Sequence, residues 1–140
     1  MWSCKKKDFC EDINTAAPAI EVNALKDYLT TNGISATEDS RGFFYIIRNA
    51  GTDEKPTICS RVTVQYAGRL VDGTLFDTTS SATFLLSDLI SGWQEGIPLI
   101  KKGGSITLYL PPTLGYGSAT HGSIPGSSIL IFNLDLKEVE

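Results

Sequence analysis

From Arg61 onward hydrophobic and polar positions alternate: Val62, Val64, Tyr66, Gly68 and Leu70 share one face, and Thr63, Gln65, Ala67 and Arg69 the other. A period of two is the signature of a half-buried antiparallel strand. Asp72-Gly73 supplies a tight turn, and TLFDTT returns as a second strand. Gly103-Gly104 opens another alternating run through Ile106, Leu108 and Leu110, which Pro111-Pro112 stops. The last run, SSILIFNLDLKEVE, aligns Leu130, Phe132, Leu134 and Leu136. Further upstream, GFFYIIRNAG is dense in aromatic and β-branched residues and bounded by glycines, which predicts a strand, followed by a turn or loop at GTDEKP.

Helical spacing occurs twice. In IEVNALKDYLTTNG, Val22, Leu25 and Leu29 fall on one face with Tyr28 beside them, and Asn32-Gly33 is placed to end the helix in a left-handed cap. In DLISGWQEGIPLI, Trp93 is fenced by Gly92 and Gly96, with Pro98 two residues further on. Each glycine costs a helix about 1 kcal/mol relative to alanine, and the proline forbids much continuation. Something other than helix stability shapes this segment. Antiparallel strands around one short central helix, with no βαβ alternation, predict an α+β fold: a curved antiparallel sheet, or half-barrel, wrapped around that helix, with an N-terminal helix and leader. The expected organisation is a flexible leader over 1–19, a helix and strand extension over 20–50, and the main domain over 51–140.

A chain of 140 residues, 41% hydrophobic, is long enough for one domain with a real core and short for two. A net charge of −4 offers no basic face to neutralise phosphates, which argues against a nucleic-acid binder. No run approaches the roughly 20 apolar residues of a membrane-spanning helix. One His and no Cys-x-x-Cys pair leave nothing from which to build a zinc site, so neither metal nor cofactor is expected. Three cysteines, Cys4, Cys10 and Cys59, make an odd number and no disulfide framework, and Cys59 among Thr57, Ile58 and Val62 reads as a small semi-buried residue. SCKKKDFCED resembles the start of a mature bacterial lipoprotein, although only Met1, Trp2 and Ser3 precede the cysteine. Three readings stand: a lipid anchor at Cys4 after an upstream signal, a chance likeness, or a Cys4–Cys10 disulfide. The first would place the protein in the bacterial cell envelope or periplasm rather than the cytoplasm.

Taken in order, VTVQYAGRLVDGTLFDTT, FLLSDLISGWQEGIPLIKKGG, LPPTLGYG and SIPGSSILIFNLDL resemble the FKBP family of peptidyl-prolyl cis-trans isomerases, the macrolide-binding immunophilins. Four motifs in the family's order and near its spacing carry the likeness from about Arg61 to Glu140. The resemblance implies a substrate pocket built from Tyr66, Phe76, Leu89, Ile90, Trp93, Tyr116, Ile124 and Phe132, with Trp93 as its floor. On that resemblance, Gly92, Gly96 and Pro98 keep the helix short and open around Trp93 so that a foreign proline can lie flat on the indole. The resemblance further implies that the Ile90 backbone N–H and the Tyr116 hydroxyl donate to the substrate, while Asp77 orients the polar edge. Ala82 stands where many members carry an aromatic wall, Asp88 where Glu or Gln is usual, and His121 near a loop position that is often His. Singly, each residue has a plainer explanation: Trp93, Tyr66 and Phe132 as core, Asp77 as a turn former, His121 as a solvated side chain.

Rotation about an Xaa-Pro bond meets a barrier of about 18–20 kcal/mol because amide resonance is lost, yet no covalent bond breaks. A catalyst therefore needs no nucleophile or acid–base pair, only a surface that fits the twisted amide better than either planar form. The expected partners are proline-containing polypeptide clients and macrolide inhibitors, acting on a monomer. The alternative is a non-catalytic module that uses the same pocket to bind proline-containing segments as a chaperone or adaptor.

Overall fold

A computed structural model describes residues 12–140. Cys4 and Cys10, and with them the lipid-anchor and Cys4–Cys10 readings, lie outside the described residues.

Six antiparallel strands form one sheet: β1 (Thr37–Glu38), β2 (Phe44–Asn49), β3 (Arg61–Arg69), β4 (Leu75–Leu85), β5 (Ser105–Leu110) and β6 (Leu130–Val139). Their spatial order is β1-β2-β5-β6-β3-β4. The period-two pattern of β3 is realised: Val62, Val64, Tyr66 and Gly68 are buried between exposed or half-buried neighbours. β6 likewise turns Leu130, Phe132, Leu134 and Leu136 into the core. β4 runs well past the TLFDTT segment, to Leu85, because two register shifts against β3, between Val64 and Tyr66 and between Gly68 and Arg69, keep the pair together as it bends.

Among the described residues two α-helices cover opposite faces of the sheet. α1 (Ala19–Thr31) lies on the outer face, where Leu25 and Leu29 pack with Phe44 of β2 and Tyr109 of β5. It ends as its sequence indicates: Gly33 takes φ +66°, its N–H donates to the Thr30 carbonyl, and the Ile34 N–H reaches the Leu29 carbonyl. That pair of bonds is a Schellman motif, closed by Ile34 packing in the Leu29 cluster. α2 (Ser91–Gly96) sits on the concave face, within the cluster formed by Trp93, Ile97, Ile106, Leu108, Leu110 and Phe132.

Gly92 and Gly96 also have a packing cause that their spacing did not show. Four residues apart, they share one face of α2. A Cβ at Gly92 would stand 2.5 Å from two Leu110 methyls, and one at Gly96 2.6 Å from a Leu108 methyl. The glycines press α2 against β5; the gap they leave is filled by leucine. A single 3-10 turn, Ile97–Leu99, then carries Pro98 where a proline is tolerated.

Cys59 also corrects the sequence reading. It is half-buried, as expected, but disulfide-bonded.

Candidate functional site: an aromatic box over the Trp93 indole

Trp93 projects from α2 into the mouth of the half-barrel, where three rings meet it nearly edge-on. Tyr66 on β3 is 4.9 Å away at 84°, Phe132 on β6 5.2 Å at 89°, and Phe84 on β4 6.1 Å at 80°. Edge-to-face pairs of this kind contribute about 0.5–1.5 kcal/mol each beyond their buried area. Three walls set upright on a floor leave a hollow of about 280 Å³, open to solvent and lined by Tyr66, Asp77, Phe84, Asp88, Leu89, Ile90, Trp93, Tyr116 and Phe132. That is near the lower end of small-molecule sites, roughly 300–1,000 Å³, a size for one ring and its flanking atoms. Although only 5% exposed, Trp93 is not sealed over; its Nε1–H is buried without an acceptor.

Of the residues expected at the site, Tyr66, Asp77, Leu89, Ile90, Trp93, Tyr116 and Phe132 come together around this hollow, whereas Phe76 and Ile124 do not line it. Phe76 stands behind Phe132, 5.5 Å away at 86°. Both rings occupy the space a side chain at Gly68 would take, with a Cβ there 2.7 Å from each. Ile124 is 5% exposed and belongs to the core, its loop closed by reciprocal backbone bonds with His121.

Two lining residues were not among the expected site. Phe84 supplies a wall that the sequence left missing at Ala82: β4 pairs Ala82 with Val64 and Phe84 with Val62, so the two share a face, one repeat apart. The alternation of β4 was the signal that could have found it. Asp88 was visible only as an unusual residue ahead of Leu89-Ile90.

The polar rim has a defined hydrogen-bond pattern. The Tyr66 hydroxyl donates to Asp77 Oδ2 at 2.6 Å. Burial raises the Tyr66 phenol far above its ordinary range, with the Asp77 hydrogen bond and charge adding to it. Burial and then the Asp77 charge also raise Tyr116. Both phenols therefore keep their protons at neutral pH. Among the described residues the Tyr116 hydroxyl and the Ile90 backbone N–H have no hydrogen-bond acceptor, so two donors remain at the rim.

The loop carrying Tyr116 is tied down from two sides. Thr113 donates through its N–H and its hydroxyl to the two Glu21 carboxylate oxygens of α1, each at 2.8 Å. The Gly117 N–H closes onto the Pro112 carbonyl. His121 is exposed, and its ring stacks on Tyr116 at 4.3 Å and 7°. Among the described residues no group of three or more His, Cys, Asp or Glu is placed to hold a metal ion.

A short helix under a curved antiparallel sheet, with a ring-sized aromatic hollow at its open end, defines the class. Residues 52–137 match the FKBP-type peptidyl-prolyl cis-trans isomerase domain, and the chain belongs to that family. It is 43% identical over 121 residues to the FKBP-type peptidyl-prolyl cis-trans isomerase FkpA of Buchnera aphidicola subsp. Schizaphis graminum, covering 83% of this chain and 47% of that protein. Against FkpA of Escherichia coli strain K12 it is 41% identical over 105 residues, 72% of this chain and 39% of that protein. The crystal structure of Escherichia coli FkpA superposes with a TM-score of 0.79 at 33% identity, over 99% of this chain and 64% of that one. The chain thus spans about half the length of the curated relatives it matches.

Proposed function

We propose that this protein catalyses cis-trans rotation of Xaa-Pro bonds in polypeptide clients, using the hollow above Trp93 without covalent chemistry. The observation that carries the reading is the pairing of a three-walled indole floor with unbonded donors at its rim. The proline ring lies on the indole between Tyr66, Phe84 and Phe132. Water excluded from this volume no longer solvates the dipolar planar amide, and the ring is held while the preceding carbonyl turns. The Ile90 N–H and the Tyr116 hydroxyl are placed to receive that carbonyl as it leaves the amide plane, which stabilises the rotated state more than either ground state. Asp77 holds Tyr66 by the 2.6 Å bond and sets a negative edge on the pocket.

The test is the rotation rate of a short Xaa-Pro peptide, read by NMR exchange, for the parent and for Tyr116→Phe and Asp77→Ala. Both variants should turn over more slowly while remaining folded; unchanged rates in both would refute these roles. No measurable rotation by the folded parent would instead favour the binding-only reading, in which the same hollow holds proline-containing segments.

Macrolides are a further expected ligand of this hollow, in which Phe84 stands as the wall that Ala82 does not supply. An oxidising compartment, such as the bacterial periplasm or cell envelope, is supported by the disulfide at Cys59. A lipid anchor at Cys4 and a monomeric state remain part of the proposal, the first testable by mass spectrometry of the protein from its own membranes and the second by light scattering.

A further inference from the structure

We infer that Gln94 is a positioning residue that aims the Ile90 N–H into the pocket by gripping the opposite side of the same peptide group; this rests on the reading of that N–H as a donor to substrate. Gln94 is the fourth residue of α2 and does not line the hollow. Its amide folds back over the start of the helix, where Nε2 donates to the Leu89 carbonyl at 2.7 Å and to the Ser87 carbonyl at 3.2 Å. Both partners are acceptors only, so the NH₂ end must face them.

The Leu89 carbonyl and the Ile90 N–H belong to one peptide unit, and that unit is trans. In a planar trans amide the C=O and N–H point in opposite directions. A bond that fixes the carbonyl on the helix side therefore fixes the N–H on the other side, where Ile90 lines the hollow and its N–H finds no protein acceptor. No side-chain cap is present at Ile90, the residue preceding α2. The neighbouring peptide planes are held by the backbone, the Leu89 N–H donating to the Leu86 carbonyl and the Ile90 carbonyl accepting from the Trp93 and Gln94 N–H groups, whereas the Leu89–Ile90 plane itself is bonded among the described residues through Gln94. Gln94 reaches both Ser87 and Leu89, so it holds the two ends of the approach to the donor together.

The experiment compares the parent with Gln94→Met, which keeps the length and removes both donors, and Gln94→Glu, which keeps the shape and turns acceptors toward two carbonyls. Each is examined by the position of the Ile90 amide in a nitrogen–proton NMR spectrum, and by kcat and KM for a short Xaa-Pro peptide. Positioning predicts a displaced Ile90 amide and a kcat lowered roughly three- to thirtyfold, less than the 10²–10³ typical of deleting an oxyanion donor outright, with KM changed less. It also predicts that Glu is the worse replacement at neutral pH, whereas a space-filling role would make Glu, the closer isostere, the better one. An Ile90 amide left in place with full turnover in both variants overturns the inference. A displaced amide with full turnover overturns the role of the Ile90 donor itself and leaves the Gln94 grip without catalytic consequence.

Discussion

Glu95 follows Trp93 by two residues on α2, and its side chain is fully buried with neither carboxylate oxygen hydrogen-bonded. Its nearest counter-charge is Arg41, whose Nε lies 3.9 Å from Oε1. That guanidinium is already engaged by Asp39 through bonds of 2.8 and 3.0 Å. Burial pushes Glu95 from 4.5 up to about 7; Arg41 opposes this, Asp39 adds to it, and the Thr15 backbone draws it down weakly without a bond of ordinary geometry. The folded state thus binds the proton more tightly than the unfolded chain. The associated stability is fully present below pH 4.5 and is lost as pH rises through 7. The difference between 7 and 4.5, at 1.36 kcal/mol per unit, amounts to about 3 kcal/mol when the loss is complete. Glu95→Gln removes the titration while keeping the shape. Relative to the parent, the variant should therefore gain about 2–3 kcal/mol between pH 5 and pH 8, whatever fixed cost the amide carries at both. Urea unfolding followed by tryptophan fluorescence at the two pH values measures it, with equal slopes required so that midpoints report stability. An identical offset at pH 5 and pH 8 would show that this carboxyl titrates normally and refute the reasoning.

Gly92→Ala drives a Cβ to 2.5 Å from two Leu110 methyls; overpacking of about 1–3 kcal/mol should outweigh the roughly 1 kcal/mol gain in helix propensity, lowering the urea midpoint and the rotation rate together. Tyr66→Phe deletes the bond to Asp77 and should cost about 1 kcal/mol in thermal unfolding, with slower rotation but an intact fold by circular dichroism; a variant as fast as the parent would remove Asp77's hold on Tyr66 from the mechanism. Cys59→Ser, or reduction of the parent, should lower stability by about 2–4 kcal/mol, read as a shifted urea midpoint, while the parent should show no reactive thiol at Cys59 after unfolding without reductant.

How much of this was legible in the chain depends on the distance over which each cause acts. Alternation along β3 and β6 and the Asn32-Gly33 cap are local, and each appears in the structure where the pattern puts it. The family motifs carried the site because they encode long-range proximity in order and spacing, which periodicity cannot do for Tyr66, Trp93 and Phe132 on three separate elements. What escaped was set by partners distant in sequence. Nothing local marks Glu95 as buried: Arg41, 54 positions earlier, and the Thr15 backbone are among the groups that act on it. Phe84 reads as another strand hydrophobe until the register with Val62 turns it toward Trp93. Gly92 and Gly96 read as keeping the helix short and open around Trp93, and only Leu110 and Leu108, on a later strand, make them sites of close approach as well. The same logic explains the floor of the pocket. An indole floor walled by three perpendicular rings must sit on a helix that cannot recede from the sheet, and glycines facing leucines on β5 are how so short a helix is kept there.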